Sequence, residues 1–150
     1  MIDPIVKSVN LSCTPEHAFD VWVSRIADWW PLDTHAVSVA EGKPALSVKI
    51  EPFVGGGIIE TTHDGSQTRW GTVQEFVPAK RFAMTWHPGY GADKQTLVEV
   101  SFSATATGTT VTLTHSGWQV WGDDAGDRIT GYVRGWAHIL GDLYAPICEP

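Results

Sequence analysis

The sequence predicts an α+β fold, in which a curved antiparallel sheet wraps around one long C-terminal helix. Two observations favour this fold. Apart from one early helix, the apolar side chains up to residue 116 alternate with polar ones in short segments bounded by glycine or proline, which is typical of β-strands. After residue 123 the apolar side chains recur every three to four residues, which is typical of an amphipathic helix.

The chain opens with a predicted strand over residues 5–11 and a helix after it. The apolar face of the strand carries Ile5, Val9 and Leu11. Thr14 can cap the helix, and Pro15 suits its first position. The helix presents an apolar stripe of Phe19, Trp22, Val23 and Ile26. It is expected to end before Pro31, because the residue before a proline avoids the α conformation.

Six further strands are predicted in hairpin succession. Their expected ranges are 45–51, 58–63, 69–77, 81–87, 96–105 and 109–116. Gly55-Gly56-Gly57 separates the first two strands and is expected to let the sheet bend sharply, and Asp64-Gly65 is a hairpin signal. An antiparallel sheet of this kind has one face that needs a cover.

The closing helix is predicted from about Asp124 to Ala145. Its apolar positions are Ile129, Tyr132, Val133, Trp136, Leu140 and Leu143. Acidic residues crowd its start, where negative charge is favourable, and Pro146 is expected to stop it. Gly135 is expected to let the helix approach the sheet closely. The space between a curved sheet and one helix is the natural site for a small molecule.

Composition limits the functions open to this chain. At about 150 residues per domain, the 150 residues form one domain, 1–150. The net charge of −7 argues against nucleic-acid binding and against a basic membrane-binding surface. No apolar run approaches the length of about 20 residues that a membrane span needs. The start of the sequence shows no signal-peptide pattern. Cys13 and Cys148 do not make a disulfide scaffold, so we expect a cytoplasmic protein with reduced thiols.

Several short motifs in this chain occur together in a known family. In chain order they are Ala18-Phe19 with Trp22, Trp29-Trp30-Pro31, Gly55-Gly56-Gly57 with Glu60, Asp64-Gly65, Trp70-Gly71-Thr72-Val73, Pro78 with Arg81-Phe82, Trp86, Thr109 to His115 with Gly117-Trp118, and Tyr132 with Gly135-Trp136. On these residues the chain resembles the SRPBCC, or START-like, superfamily, and more closely its bacterial branch named after the activator of the ninety-kilodalton heat-shock-protein ATPase. The resemblance covers nearly the whole chain.

The resemblance implies a helix-grip fold with a ligand cavity between the sheet and the closing helix. The superfamily contains lipid carriers, hormone receptors and polyketide cyclases. It therefore implies a protein that binds a small hydrophobic or aromatic molecule, with no cofactor. Two alternatives stay open: a cyclase- or aromatase-like enzyme that uses the same cavity, and a chaperone-associated interaction domain, as the branch name suggests.

Two polar residues are candidates for the cavity. His115 shares its face with Val111 and Leu113, so it is expected inside, either as a ligand-orienting or acid–base group or as a hydrogen-bonded core histidine. Glu60 matches a family position. Which face of the strand it lies on stays open, because Ile58 and Ile59 place an apolar residue on each of the two faces. The full set of candidate ligand-binding residues is Trp30, Glu60, Met84, Trp86, Phe102, His115, Tyr132 and Trp136.

The eight tryptophans are expected to be core residues, some of which also line the cavity. Trp29, Trp30, Trp118 and Trp121 are expected at its rim. A metal site is disfavoured, because only a convergence of His63, His87 and His115 could form one. Nucleophilic catalysis is disfavoured as well, because no Gly-x-Ser-x-Gly motif is present and both cysteines are interpreted as ordinary thiols.

Overall fold

The computed structural model describes residues 2–149 and contains seven antiparallel strands. These are β1 Ile5–Leu11, β2 Ser47–Ile50, β3 Gly57–Thr61, β4 Gln67–Val77, β5 Arg81–Trp86, β6 Thr96–Thr105 and β7 Gly108–Ser116. They form one sheet in the order β1-β7-β6-β5-β4-β3-β2, so every pair except β1–β7 is a hairpin neighbour in the sequence. The first strand therefore closes the sheet beside the last one.

The helices lie at the two ends of the chain. The first pair is α1 Pro15–Ser24 and α2 Ile26–Trp29, and the closing pair is α3 Ala125–His138 and α4 Ala145–Cys148. Short 3₁₀ helices occupy Val37–Glu41, Ala92–Lys94 and Trp118–Asp124. A curled antiparallel sheet with a long C-terminal helix confirms the predicted α+β helix-grip fold. Within residues 2–149 no helix combines the length and the apolarity that a membrane crossing requires.

The start of α1 follows the local rules that predicted it. The Thr14 hydroxyl oxygen accepts a hydrogen bond from the His17 amide at 3.2 Å, and Pro15 takes the first helical position. The helical path breaks at Arg25, which has a φ of −124°. It ends at Trp30, whose extended backbone precedes Pro31 as predicted.

The prediction that Pro146 stops the closing helix is wrong. After α3, residues Ile139–Tyr144 form a π-helix, and α4 continues from it to Cys148. Pro146 lies in the first turn of α4, directly after the π-helix. The closing helix therefore continues through the π-helix and ends two residues after Pro146, at Cys148.

Gly55 and Gly56 of the glycine run lie in the turn between β2 and β3, and Gly57 is the first residue of β3, so the run does not bend a strand. Gly55 has a φ of +92°, a conformation that favours glycine. Its amide donates to the Val73 carbonyl, and the Val73 amide donates to the Gly56 carbonyl. The turn is thereby fixed to the middle of β4.

Candidate functional site

An open cleft of about 840 Å³ lies beside α3. One side is the helix, from Asp127 to Ile139. The other side is formed by residues 30–40, which we call the wall segment. The end of β5 and the residues that follow it to Tyr90 complete this side. The cleft is therefore built where the sheet, the closing helix and one long connection meet.

Of the five Trp and Tyr side chains that line the cleft, four pack together; we call Trp30, Trp86, Tyr132 and Trp136 the aromatic cluster. The ring centroid of Trp30 lies 5.6 Å from that of Trp86 and 5.9 Å from that of Trp136. The Trp86 and Trp136 rings are 5.7 Å apart. Tilted and edge-on contacts at these spacings are favourable, so the cluster forms a stable surface.

The indole N–H groups of this cluster are already paired within the protein. The Trp86 indole N–H donates to the Tyr132 hydroxyl at 2.9 Å, and the Trp30 N–H donates to the His35 carbonyl at 2.7 Å. The Trp136 N–H donates to His115 Nδ1 at 2.9 Å. The cluster can therefore offer a ligand the faces and edges of its rings, while its indole hydrogen bonds hold the rings in place.

The wall segment is held by the buried carboxylate of Glu60 on β3. Its oxygens accept hydrogen bonds from the Val37 amide at 2.7 Å, the Ser38 amide at 3.0 Å and the Ser38 hydroxyl at 2.8 Å. They also accept from the Trp70 indole N–H at 2.9 Å. All four partners are donors, which is the environment that an ionised carboxylate requires when it is buried. Glu60 lies outside the cleft lining and anchors its wall.

His115 lies fully buried behind the aromatic cluster, on β7. Since Nδ1 accepts from Trp136, the neutral ring carries its proton on Nε2, which donates to the Thr96 hydroxyl at 2.7 Å. That hydroxyl donates to the Trp86 carbonyl at 3.2 Å. Burial lowers the pKa of His115 to about 3, so the ring is neutral at physiological pH. The imidazole therefore ties Trp136 on the helix to Trp86 on the sheet.

The remaining predicted site residues are dispersed. Met84 and Phe102 are buried and lie outside the cleft lining. The Phe102 ring packs edge-on against Phe19, with ring centroids 5.2 Å apart. Of the eight predicted residues, the structure brings Trp30, Trp86, Tyr132 and Trp136 to the cleft.

Of the tryptophans expected at a rim, only Trp30 lines this cleft. The rim position expected for Trp29 is wrong: its ring packs against Trp22 at 4.8 Å, and its N–H donates to the Val21 carbonyl. Trp118 is buried and donates to the His115 carbonyl at 2.9 Å. Trp121 is half-buried and packs edge-on against Tyr90 beside the cleft, with ring centroids 4.8 Å apart.

Gly135 has a different neighbour from the one predicted. A Cβ atom at this position would lie 3.5 Å from Nε2 of His35 in the wall segment, and no sheet atom is among its close contacts. The missing side chain therefore leaves room for the cleft rather than for helix–sheet contact. Burial lowers the pKa of His35, with a smaller contribution from His138, so its ring favours the neutral form.

The polar groups of the cleft were not predicted from the sequence. They are Thr34, His35, Tyr90, Asp127 and Arg128. Arg128 precedes Tyr132 by one helical turn, so the helical period alone could have placed it on the same face. His35 and Tyr90 lie in connecting segments whose sequences show neither helical nor strand periodicity, so no pattern could place them at the cleft.

The three histidines considered for a metal do not converge. Both ring nitrogens of His115 are hydrogen-bonded, and Nδ1 of His87 pairs with the Tyr90 carbonyl at 2.8 Å. Across residues 2–149, no group of three or more histidine, cysteine, aspartate or glutamate side chains could hold a metal ion.

Neither thiol is placed for nucleophilic chemistry. Cys13 and Cys148 are both free. Burial raises the pKa of Cys13, and Glu149 beside it acts in the same direction. Burial also raises the pKa of Cys148 to about 12. Both groups are therefore protonated at neutral pH, and a thiol is a far weaker nucleophile than a thiolate.

Solved structures share this fold. Protein MLL2253 from Mesorhizobium loti is 18% identical, with a TM-score of 0.69 over 94% of this chain and 93% of that chain. The Aha1 dimer from Colwellia psychrerythraea is 17% identical, with a TM-score of 0.67 over 93% and 91%. At these identities the likeness shows the fold. No match was found among curated proteins.

A third solved structure is more similar in sequence. The anthrahydroquino-γ-pyrone synthase Txn09, complexed with SUM, is 35% identical, with a TM-score of 0.59 over 84% of each chain. A family model described as "Activator of Hsp90 ATPase homolog 1-like protein" matches residues 12–145 of this chain. With nearly the whole sheet and the closing helix inside that match, the chain belongs to the family of Activator of Hsp90 ATPase homolog 1-like proteins.

Proposed function

We propose that this protein binds a small hydrophobic or aromatic molecule in the cleft. The observation that carries the proposal is the aromatic cluster, which lines the cleft while its indole N–H groups are satisfied inside the protein. Such a surface offers stacking and apolar contact and demands few hydrogen bonds from its ligand. Flat aromatic molecules meet that condition.

The size of the cleft supports the same proposal. Small-molecule sites usually enclose roughly 300–1,000 Å³ and are lined mainly by apolar and aromatic side chains with a few polar groups. The volume of about 840 Å³ lies within that range. The indole–histidine–threonine chain behind the cluster holds the rings before a ligand arrives, which lowers the entropy lost on binding.

A second candidate function is catalysis on an aromatic molecule in the same cleft. The identity of 35% to Txn09, a γ-pyrone synthase, favours it. The ring of His35 lies at the cleft and favours its neutral form, which is what a general base needs. Chromatography of a cleft ligand before and after incubation with the protein would decide between the two functions, because an enzyme converts the ligand to a different compound and a binding protein returns it unchanged.

Filling the cleft from the helix side tests the binding proposal. Gly131 lines the cleft, and a Cβ atom there has no neighbour within 4 Å. We expect Gly131→Leu to weaken binding of N-phenyl-1-naphthylamine by about tenfold or more, because the new side chain occupies the ligand's space. Leucine also favours the helix more than glycine does, so the free energy of unfolding should rise by up to about 1 kcal/mol.

The matched control is Gly126→Leu. Gly126 lies on the same helix with equally open surroundings, and it is outside the cleft lining. Fluorescence titration of the two variants and the wild type gives the affinities, and thermal unfolding gives their stabilities. Equal affinity in both variants would place the ligand somewhere other than this cleft, and absence of binding to the wild type would count against the proposed function itself.

A further inference from the structure

Arg128 lies at the mouth of the cleft between two aromatic rings. Its guanidinium carbon is 3.8 Å from the ring centroid of Trp121 and 4.7 Å from that of Tyr90. One of its terminal N–H groups donates to the Tyr90 hydroxyl. Stacking of this kind fixes the plane of the guanidinium, so its remaining donors keep one orientation.

The charge of Arg128 has no carboxylate partner among residues 2–149. Arg81, in contrast, reaches Glu75 at 2.7 Å and Glu99 at 3.2 Å. A guanidinium has five N–H donors, and within the described chain only one hydrogen bond uses them at Arg128. A half-buried, oriented and unpaired guanidinium is suited to a bidentate contact with an anion.

The surroundings of Arg128 contain charges of both signs. The Lys94 ammonium lies 5.3 Å from the Trp121 ring centroid, and the amino-terminal end of α3, which favours anions, is one turn away. Asp127, which lines the same cleft, and Asp123 and Asp124 before the helix oppose them, but within the described chain none of the three is within ion-pair distance of Arg128. Arg128 is nevertheless the one arginine or lysine in the cleft lining, in a chain whose net charge is −7.

We propose that Arg128 is the specificity-determining residue of the cleft and that it selects aromatic ligands bearing an anionic substituent, such as a carboxylate, a sulfonate or a phenolate. This inference rests on the proposed binding function. Arg128 and Tyr132 are one turn apart on α3, and both line the cleft. A ligand whose ring lies against the aromatic cluster would thus place a substituent toward the guanidinium.

Two probes that differ by one charged group test the inference. N-phenyl-1-naphthylamine is neutral, and 8-anilinonaphthalene-1-sulfonate has the same ring system with an added sulfonate. We expect the wild type to bind the sulfonate more tightly, and Arg128→Gln to weaken its binding by about tenfold or more, since hydrogen bonds to charged groups are strong. The same substitution should change the affinity for the neutral probe by less than about twofold, because the stacking surface of the cluster remains.

Arg134→Gln is the matched control, because Arg134 is exposed on the same helix and lies outside the cleft lining. It should leave both affinities within about twofold, since distant exposed charges are screened. In the wild type, added salt should lower the affinity for the sulfonate probe and leave the affinity for the neutral probe unchanged. This salt comparison needs no variant and keeps the test independent of any effect of Arg128→Gln on folding.

Each result has one meaning. If Arg128→Gln lowered the affinity for both probes equally, the inference would be overturned, because Arg128 would then act by packing alone. A neutral probe that binds while the sulfonate gains nothing from Arg128 would also overturn it, and the proposed function would stand. Failure of both probes on the wild type would overturn the proposed function and the inference together.

Discussion

Replacing Glu60 with glutamine is expected to lower the free energy of unfolding by about 3 kcal/mol, because a buried charged acceptor is lost and donors are left unpaired. The carboxylate accepts from the Val37 amide, the Ser38 amide and hydroxyl, and the Trp70 indole. A glutamine amide has only one acceptor atom, and its NH₂ group would face N–H or O–H donors. Denaturant unfolding of the variant and the wild type measures the difference.

The same substitution is expected to weaken binding in the cleft, because Glu60 holds Val37 and Ser38 against the sheet and thereby fixes the wall segment. Glu51→Gln is the matched control. Glu51 is half-buried, accepts one hydrogen bond from the Gly57 amide at 2.7 Å, and should lose less than about 1 kcal/mol. Equal destabilisation of the two variants, or an unchanged affinity in Glu60→Gln, would contradict this account of the wall.

Replacing His115 with alanine is expected to lower the free energy of unfolding by about 4 kcal/mol near neutral pH, from the cavity left behind and the unpaired polar groups. The imidazole accepts from the Trp136 indole and donates to the Thr96 hydroxyl. Without it, both groups lose a buried partner. His17→Ala is the control, because His17 is exposed on α1 and its loss should cost little.

The pH dependence of this loss identifies its cause. The native pKa of His115 is lowered to about 3 by burial, and the ordinary value is 6.5. Between these values the unfolded chain binds a proton that the native protein does not, so the contribution of His115 to wild-type stability falls as the pH falls, by about 3 kcal/mol at pH 4.5. His115→Ala lacks this proton uptake, so the stability gap between the two proteins should narrow to about 1 kcal/mol at that pH. A gap that stays constant from pH 7.5 to 4.5 would show that His115 is protonated equally in both states.

Local patterns were sufficient to predict the sheet and the start of the first helix. Alternation within 96–105 and 109–116 predicted β6 and β7 to within one residue, because each strand buries one face and exposes the other. The Thr14 cap is likewise a local interaction. Such features depend on neighbours in the sequence, which is what a single sequence displays.

The features that were missed depend on distant parts of the chain. The facing of Glu60 stayed open because Ile58 and Ile59 lie on opposite faces of the strand; the structure buries Glu60 on the face of Ile58, and its partners lie in a connection and in β4. Four members of the predicted site reached the cleft because tertiary packing brings together β5, α3 and the residue that follows α2. The setting of Arg128 depends on Tyr90, which comes from the β5–β6 connection, so no helical pattern could show it.

The position of a bound ligand is the most direct test of the central claim. Each of the eight tryptophans gives one indole N–H signal in a ¹⁵N nuclear magnetic resonance spectrum, so a titration with N-phenyl-1-naphthylamine maps the site residue by residue. We predict the largest shifts for Trp30, Trp86 and Trp136, whose rings line the cleft. Trp22, whose ring packs against Trp29, Phe82 and Tyr144 and against no side chain of the cleft lining, should move least. Shifts confined to Trp121, or spread evenly over all the indoles, would contradict binding against the aromatic cluster.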